Sequence, residues 1–319
     1  MTEVLPWVEK YRPQILDEVI GNEDIVQNFK NIVKKGNIPH MLLVGRPGVG
    51  KTTLAICLAR TLLGDQLSEA FIEINASDQR GIDTVRNTIN NFCQKKVTFA
   101  NNAKKQKIIF LDEFESMTIS AQQALRRIIE IYSKSTRFIL ACNDSSGVTD
   151  AIQSRCSVHR FSKVRQADIK ILLIKICKLE KIKYTSESIK EIAIASNGDV
   201  RSSINCLQRV FNTYKDISFD NVTRIIDKPN HLVMTKLLEA IIKKKFDDAK
   251  PIVDELINKG YYGLDITRLL FHIVKEYKMD DMMRLKLMSI IGDVEANLLQ
   301  NADEYLQLLS LVSKMTLAK

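Results

Sequence analysis

The chain has 319 residues, 45% of them hydrophobic and 27% charged, a globular composition long enough for two or three small cores. With no apolar run near the roughly twenty residues that cross a bilayer, and an opening Met1-Thr2-Glu3-Val4-Leu5-Pro6-Trp7 unlike a secretory signal, a soluble intracellular protein with no membrane partner is expected. The formal net charge of +9 fits either a polyanionic partner or a solvated basic surface.

Taken in chain order, residues 1–22 read as an extended arm through Tyr11-Arg12-Pro13. Glu23 to Lys35 places Ile25, Val26, Phe29, Ile32 and Val33 on one helical face. Met41 to Val44 is an apolar run that stops at Gly45, the signature of a buried parallel strand before a helix that runs through Leu63. Phe71 to Asn75, Ile108 to Leu111 and Arg137 to Cys142 are further strands, separated by helices at Ile82 to Phe92 and Ser120 to Tyr132. Strands alternating with helices predict a parallel sheet covered on both faces. After Phe161 only helical patterns follow, at 166–180, 186–196 and 200–214, then beyond Pro229 at 231–244, 246–259, 264–278, 281–298 and 302–316. The expected division is an α/β core (1–162), a small helical lid (163–228) and an all-helical tail (229–319). The cysteines, Cys57, Cys93, Cys142, Cys156, Cys177 and Cys206, form no CxxC pair and read as single thiols rather than zinc ligands.

Gly45-Arg46-Pro47-Gly48-Val49-Gly50-Lys51-Thr52, followed by Thr53, satisfies G-x-x-x-x-G-K-[ST]. Glycines let successive backbone N–H groups curl around a phosphate, and the next helix presents its positive end to the same anion. Lys51 supplies charge at the β- and γ-phosphates of ATP, and Thr52 offers a hydroxyl to Mg²⁺. The strand ending in Asp112-Glu113 adds a carboxylate for the metal and a base for the attacking water. Asn143 reads either as a polar group near that water or as a plain Asn-Asp turn. Arg155, in Ser154-Arg155-Cys156, is a surface charge or an arginine finger toward a neighbouring subunit. Arg201, in Gly198-Asp199-Val200-Arg201, is placed to touch the phosphates of its own nucleotide.

Together these residues resemble the small subunits of replication factor C, clamp loaders of the AAA+ class. The resemblance rests also on Leu5-Pro6-Trp7-Val8-Glu9-Lys10-Tyr11-Arg12-Pro13, Gly21-Asn22, Asn75-Ala76-Ser77, Arg80-Gly81-Ile82-Asp83 and Gln122-Gln123-Ala124-Leu125-Arg126-Arg127. The wording of the first stretch, and Glu130-Ile131-Tyr132-Ser133-Lys134, looks most like the eukaryotic second subunit, the fourth in yeast nomenclature. The resemblance implies a P-loop AAA+ core with a parallel sheet, a helical lid and an all-α C-terminal collar. It implies a nuclear heteropentamer with other replication factor C subunits that uses ATP and Mg²⁺ to open a sliding clamp and load it on primer–template DNA. In that pattern Val8 and Ile20 line the adenine pocket, Arg155 acts in trans, and Asn143 and Arg201 are the two sensors. Arg80, Ile82 and Arg86 are then candidates for the template strand, with a solvated turn as the alternative for Arg80.

Two departures stand out. The family usually reads Asp-Glu-Ala-Asp where this chain has Asp112-Glu113-Phe114-Glu115, and Asn-Asp-Arg-Gly where it has Asp78-Gln79-Arg80-Gly81. The rival readings are a hexameric AAA+ motor such as a branch-migration helicase, which would carry a C-terminal winged helix, and a non-catalytic scaffold. The tail stripe Met282, Met283, Leu285, Leu287 and Met288 reads as collar core and subunit interface, and Lys243-Lys244-Lys245 as a solvated helix end, with a DNA or nuclear-import role as the alternative.

Overall fold

The computed structural model describes residues 5–36, 38–77, 82–95, 106–226 and 231–318, with residues 82–86 given by their backbone alone. Two compact units emerge, residues 1–219 and 220–319.

In the first unit five strands, β1 (Met41–Val44), β2 (Phe71–Asn75), β3 (Lys107–Asp112), β4 (Thr136–Cys142) and β5 (Ser157–Arg160), form one sheet in the order β2-β3-β4-β1-β5. Every pairing is parallel. Strand residues alternate between two apolar clusters, as a pleat with period two requires. Met41, Leu43, Ile108, Phe110, Ile139 and Ala141 join one cluster, whereas Leu42, Val44, Ile109, Leu111, Phe138 and Leu140 join the other. Both faces are therefore covered. Helices α2 (Glu23–Lys35) and α3 (Lys51–Leu63) supply Phe29, Leu54 and Leu58 to the first cluster. Helices α5 (Ile82–Gln94) and α6 (Ile119–Tyr132) supply Ile89, Leu125 and Ile128 to the second.

β5 escaped the sequence reading because Ser157, Val158 and Arg160 are exposed and only His159 is buried. An edge strand covered on one side leaves no apolar run to detect. The arm also differs from expectation: instead of running extended, it forms helix α1 (Trp7–Lys10) and a 3₁₀ turn at Leu16–Glu18. Pro6 sets its own φ at −54° and accepts from the N–H groups of Glu9 and Lys10, which starts the turn. Trp7 is buried and stacks on Phe211 with ring centroids 5.4 Å apart. Its backbone N–H donates to Gln208 Oε1, while Lys10 Nζ and Tyr11 Oη both donate to Glu180 at 2.6 Å. The arm is thus fastened to the helical part of this unit, α8 (Gln166–Leu179), α9 (Ser186–Ala195) and α10 (Val200–Tyr214). Short helices α4 (Leu67–Ala70) and α7 (Asp150–Gln153) lead into β2 and β5.

The second unit holds the last turns of α11 (Phe219–Ile225), which the periodicity had not predicted, then α12 (His231–Ile242), α13 (Phe246–Asn258), α14 (Gly263–Glu276), α15 (Asp281–Leu299) and α16 (Glu304–Leu317). Met234, Leu238, Ile266, Leu270, Ile291 and Leu308 are central to its single apolar cluster. Leu287 joins that cluster and Met283 and Met288 pack against it, whereas Met282 and Leu285 stay exposed on α15. Its described residues carry no strand, so nothing there builds the wing of a winged helix. No helix among the described residues is long and apolar enough to cross a membrane.

Candidate functional site

Strand order brings the chemistry together. β4 lies between β3 and β1, so the residues that follow their carboxyl ends, Gly45, Glu113 and Asn143, emerge along one edge of the sheet. Register keeps the ends level, with Val44 opposite Cys142 and Leu111 opposite Leu140. The N–H of Gly45 donates to Cys142 at 3.1 Å, which ties the phosphate loop to β4 before it turns.

Gly50 caps α3 in the left-handed region at φ 97°, a conformation that glycine adopts without the Cβ penalty. Gly48 is also left-handed, at φ 72°, and a methyl group there would meet Asp199 Oδ1 at 1.8 Å. Asp199 caps α10 by accepting from the Ser202 N–H at 2.9 Å, and the Val200 N–H donates to the Gly48 carbonyl at 3.0 Å. Gly48→Ala is therefore expected to combine about 1–2 kcal/mol of left-handed strain with displacement of the α10 cap. A fall in Tm of roughly 2–8 °C, with weaker nucleotide binding, would be read by thermal melts with and without ATP. An unchanged melt would mean that loop and helix are not in contact.

Lys51, only 7% exposed, donates to the carbonyls of Gly45 and Arg46 and, at 3.0 Å, to Asn143 Oδ1. Burial draws its amine below the ordinary lysine range, a shift opposed by the charges of Asp112 and Glu115 and reinforced by Arg201. Thr52 Oγ1 donates to Asp112 Oδ2 at 2.7 Å, and the other Asp112 oxygen accepts from the Glu113 N–H at 2.9 Å. A hydroxyl and a carboxylate in that contact are hard oxygen donors of the kind Mg²⁺ takes, so the residues present fit the ion. Burial pushes the Cys142 thiol up to about 11, which makes it a neutral strand residue rather than a nucleophile.

Around these groups lies a cavity of about 220 Å³. Its lining includes Val8, Ile20, Asp112, Glu113, Asn143 and Arg201, together with every loop residue from Pro47 to Thr53. Gly45 and Arg46 contribute their carbonyls to Lys51 instead. Arg155 is not among the lining residues; it donates to the Ala151 carbonyl at 2.7 Å and pairs with Glu130 at 2.7 Å. Arg80 lies outside the described residues, as do the side chains of Ile82 and Arg86. Phe114, the oversized residue of the acidic stretch, is fully buried in the apolar cluster on the α5–α6 face of the sheet. The sequence reading missed Tyr11, Leu172, Ile204 and Glu115 as lining residues. The first three carry no spacing signal, since an arm and two helices of the lid region converge only in the fold. Glu115 did carry one, as the last acid of Asp112-Glu113-Phe114-Glu115.

Residues 41–164 match the family model of the ATPase family associated with various cellular activities, and residues 229–314 match that of the replication factor C C-terminal domain. Among full-length relatives, replication factor C subunit 4 of Saccharomyces cerevisiae is 42% identical over 98% of this chain and 95% of its own. Replication factor C subunit 2 of Arabidopsis thaliana is 41% identical over 98% and 94%. The chain belongs to the replication factor C family. The archaeal branch is almost as similar: the replication factor C small subunit of Archaeoglobus fulgidus is 41% identical over 98% of both chains. Among solved structures the RuvB Holliday junction branch migration motor of Thermotoga maritima superposes with a TM-score of 0.57, at 19% identity, over 72% of this chain and 79% of that one. That likeness is one of fold. As a replication factor C chain with an AAA domain, the protein is a nucleotide-binding ATPase.

Proposed function

We propose that this ATPase is a small subunit of a clamp loader, which binds and hydrolyses ATP to open a sliding clamp and place it on primer–template DNA. One observation carries the reading: a complete phosphate loop with its acid pair and a replication factor C C-terminal domain lie in the same chain. On this reading it works in the nucleus with other replication factor C subunits as a heteropentamer. Residues 1–162 are then the ATPase core, 163–228 the lid and 229–319 the collar.

In the cavity, Val8 and Ile20 take the adenine while the N–H groups from Gly48 to Thr53 and the Lys51 ammonium hold the triphosphate. Thr52 and Asp112 would hold Mg²⁺, which would supply positive charge against that of the phosphates. Glu113 accepts the proton of the attacking water. Asn143 and Arg201 report the γ-phosphate from β4 and α10. Arg80, Ile82 and Arg86 are the proposed contacts with the template strand.

The test is the ATPase rate of the assembled complex, expected to rise when clamp and primed DNA are both added. No response to either would remove the clamp-loading reading while leaving the ATPase in place. Arg155, directed to Glu130 rather than to its own cavity, is assigned to a neighbour's site. Arg155→Ala should lower turnover there by roughly 10³-fold, the low end for an arginine finger. Single-site measurements check this, using complexes in which every other phosphate loop is disabled. A loss confined to the subunit's own site would refute the assignment in trans.

A further inference from the structure

Asn143 stands between two charges. Its Oδ1 accepts from Lys51 Nζ at 3.0 Å, and its Nδ2 donates to Glu115 Oε1 at 2.6 Å. The same Glu115 oxygen accepts from the Asn143 backbone N–H at 3.1 Å. An asparagine amide has two ends of nearly equal shape, so its direction is set by what each end faces. Turned over, the amide would set its NH₂ against the ammonium, donor against donor, and its oxygen against the carboxylate, acceptor against acceptor. Ammonium and carboxylate together therefore admit one orientation.

Glu115 is itself held. It belongs to the 3₁₀ turn Phe114–Ser116 that follows the acid pair, with Phe114 fully buried beside it. A methyl group on Gly147 would lie 3.0 Å from Glu115 Cβ, so the loop after Asn143 packs closely on the glutamate stem. That loop is fixed in turn by the Gln122 side chain, whose Nε2 donates to the Gly147 carbonyl at 2.8 Å. Glu115 Oε2 is buried and takes no hydrogen bond from any described residue, which leaves the Oε1 pair as the one bonded function of this carboxylate.

We propose that Glu115 is a positioning residue for ATP hydrolysis, fixing the direction of the Asn143 amide so that its oxygen faces Lys51 and the phosphate loop. The inference rests on the ATPase reading of the cavity and adds to it a link between the acidic turn after β3 and the residue that follows β4. Glu115 acts through Asn143 and needs no contact with nucleotide. Its task is hydrogen-bond acceptance at Oε1. Glutamine keeps that acceptor and sets an NH₂ where Oε2 has no partner among the described residues to lose, whereas alanine removes the acceptor altogether.

Two measurements test this. In the full chain labelled with ¹⁵N-asparagine, the side-chain NH₂ pair of Asn143 is assigned by its loss in Asn143→Ala. Glu115→Ala is expected to shift that pair and speed its exchange with water, with Glu115→Gln staying near the parent; a pair unmoved by Glu115→Ala overturns the proposal without touching the ATPase reading. In the assembled complex, Glu115→Ala should lower kcat roughly 10- to 100-fold, the cost of a misplaced active-site group, with KM for ATP within about threefold. Added to Asn143→Ala it should cost nothing more, because coupled residues do not add. Additive losses overturn the proposal. Should the alanine variant fail to fold, Glu115→Gln decides alone: kcat within about threefold of the parent supports it, and a larger loss sinks it. A parent chain without ATPase would instead remove the functional reading and leave the amide measurement standing.

Discussion

Lys51→Ala is expected to raise the Kd for ATP at this subunit by at least ~100-fold, since each hydrogen bond from a charged group is worth about 1.5–3 kcal/mol and the ammonium would give the phosphates more than one. The side chain is buried at the start of α3, where the loop carbonyls of Gly45 and Arg46 and the Asn143 oxygen converge on it. Alanine removes the fixed cation that the cavity holds against a triphosphate and strands those acceptors. The loop glycines keep their shape, so the fold should remain while affinity collapses. Titration of the complex with a fluorescent ATP analogue measures the loss, and a melt of the same variant separates it from unfolding. Full affinity in a folded variant would mean that the triphosphate is held elsewhere, and the reading of Gly45 to Thr53 would fail with it. Lys51→Arg is a poor control, because a planar fork cannot reproduce three bonds from one tetrahedral nitrogen.

Much of this site was legible because its signals are local. Gly45 to Thr53 is a contiguous motif, and Asp112-Glu113 closes an apolar run, so pattern alone set both at strand ends. What remained hidden is non-local. The sheet order that puts β4 between β3 and β1 decides that Asn143, and not Asn75 at the end of β2, faces Lys51. The edge strand β5 has one buried residue and no alternating apolar signal. The arm's helix depends on a tryptophan that finds Phe211 some two hundred residues later in the chain. Proline and tyrosine near Arg12 suggested extension, and the tertiary contact overrode that local preference. Met282 and Leu285 show a further limit: the sequence grouped them with collar core and subunit interface together, and only the fold separates these two, exposed on α15, from Leu287 in the core.

Glu113→Gln should leave the Kd for ATP within about threefold while kcat falls by roughly 10²- to 10⁴-fold, the usual worth of a general base. Glu113 adopts φ 53°, a left-handed conformation that costs a residue with a side chain about 1–2 kcal/mol. It is held there by its own N–H on Asp112 Oδ1 and by its carbonyl, which accepts from the Ser116 N–H at 3.0 Å. This turn swings the exposed carboxylate into the cavity lining beyond Asp112. Glutamine preserves every one of those backbone bonds and the side-chain volume, so melting temperature and nucleotide affinity should be nearly untouched. It cannot take a proton from water, which is the single function removed. Quenched-flow measurement of phosphate release after ATP binding separates the two quantities. The comparison with Glu115→Gln is the sharper one: the same chemical change two residues away, on the acid that orients Asn143, should leave kcat almost intact. If Glu113→Gln turned over ATP as fast as the parent, the base would have to be another group, and the left-handed turn after β3 would have no catalytic meaning.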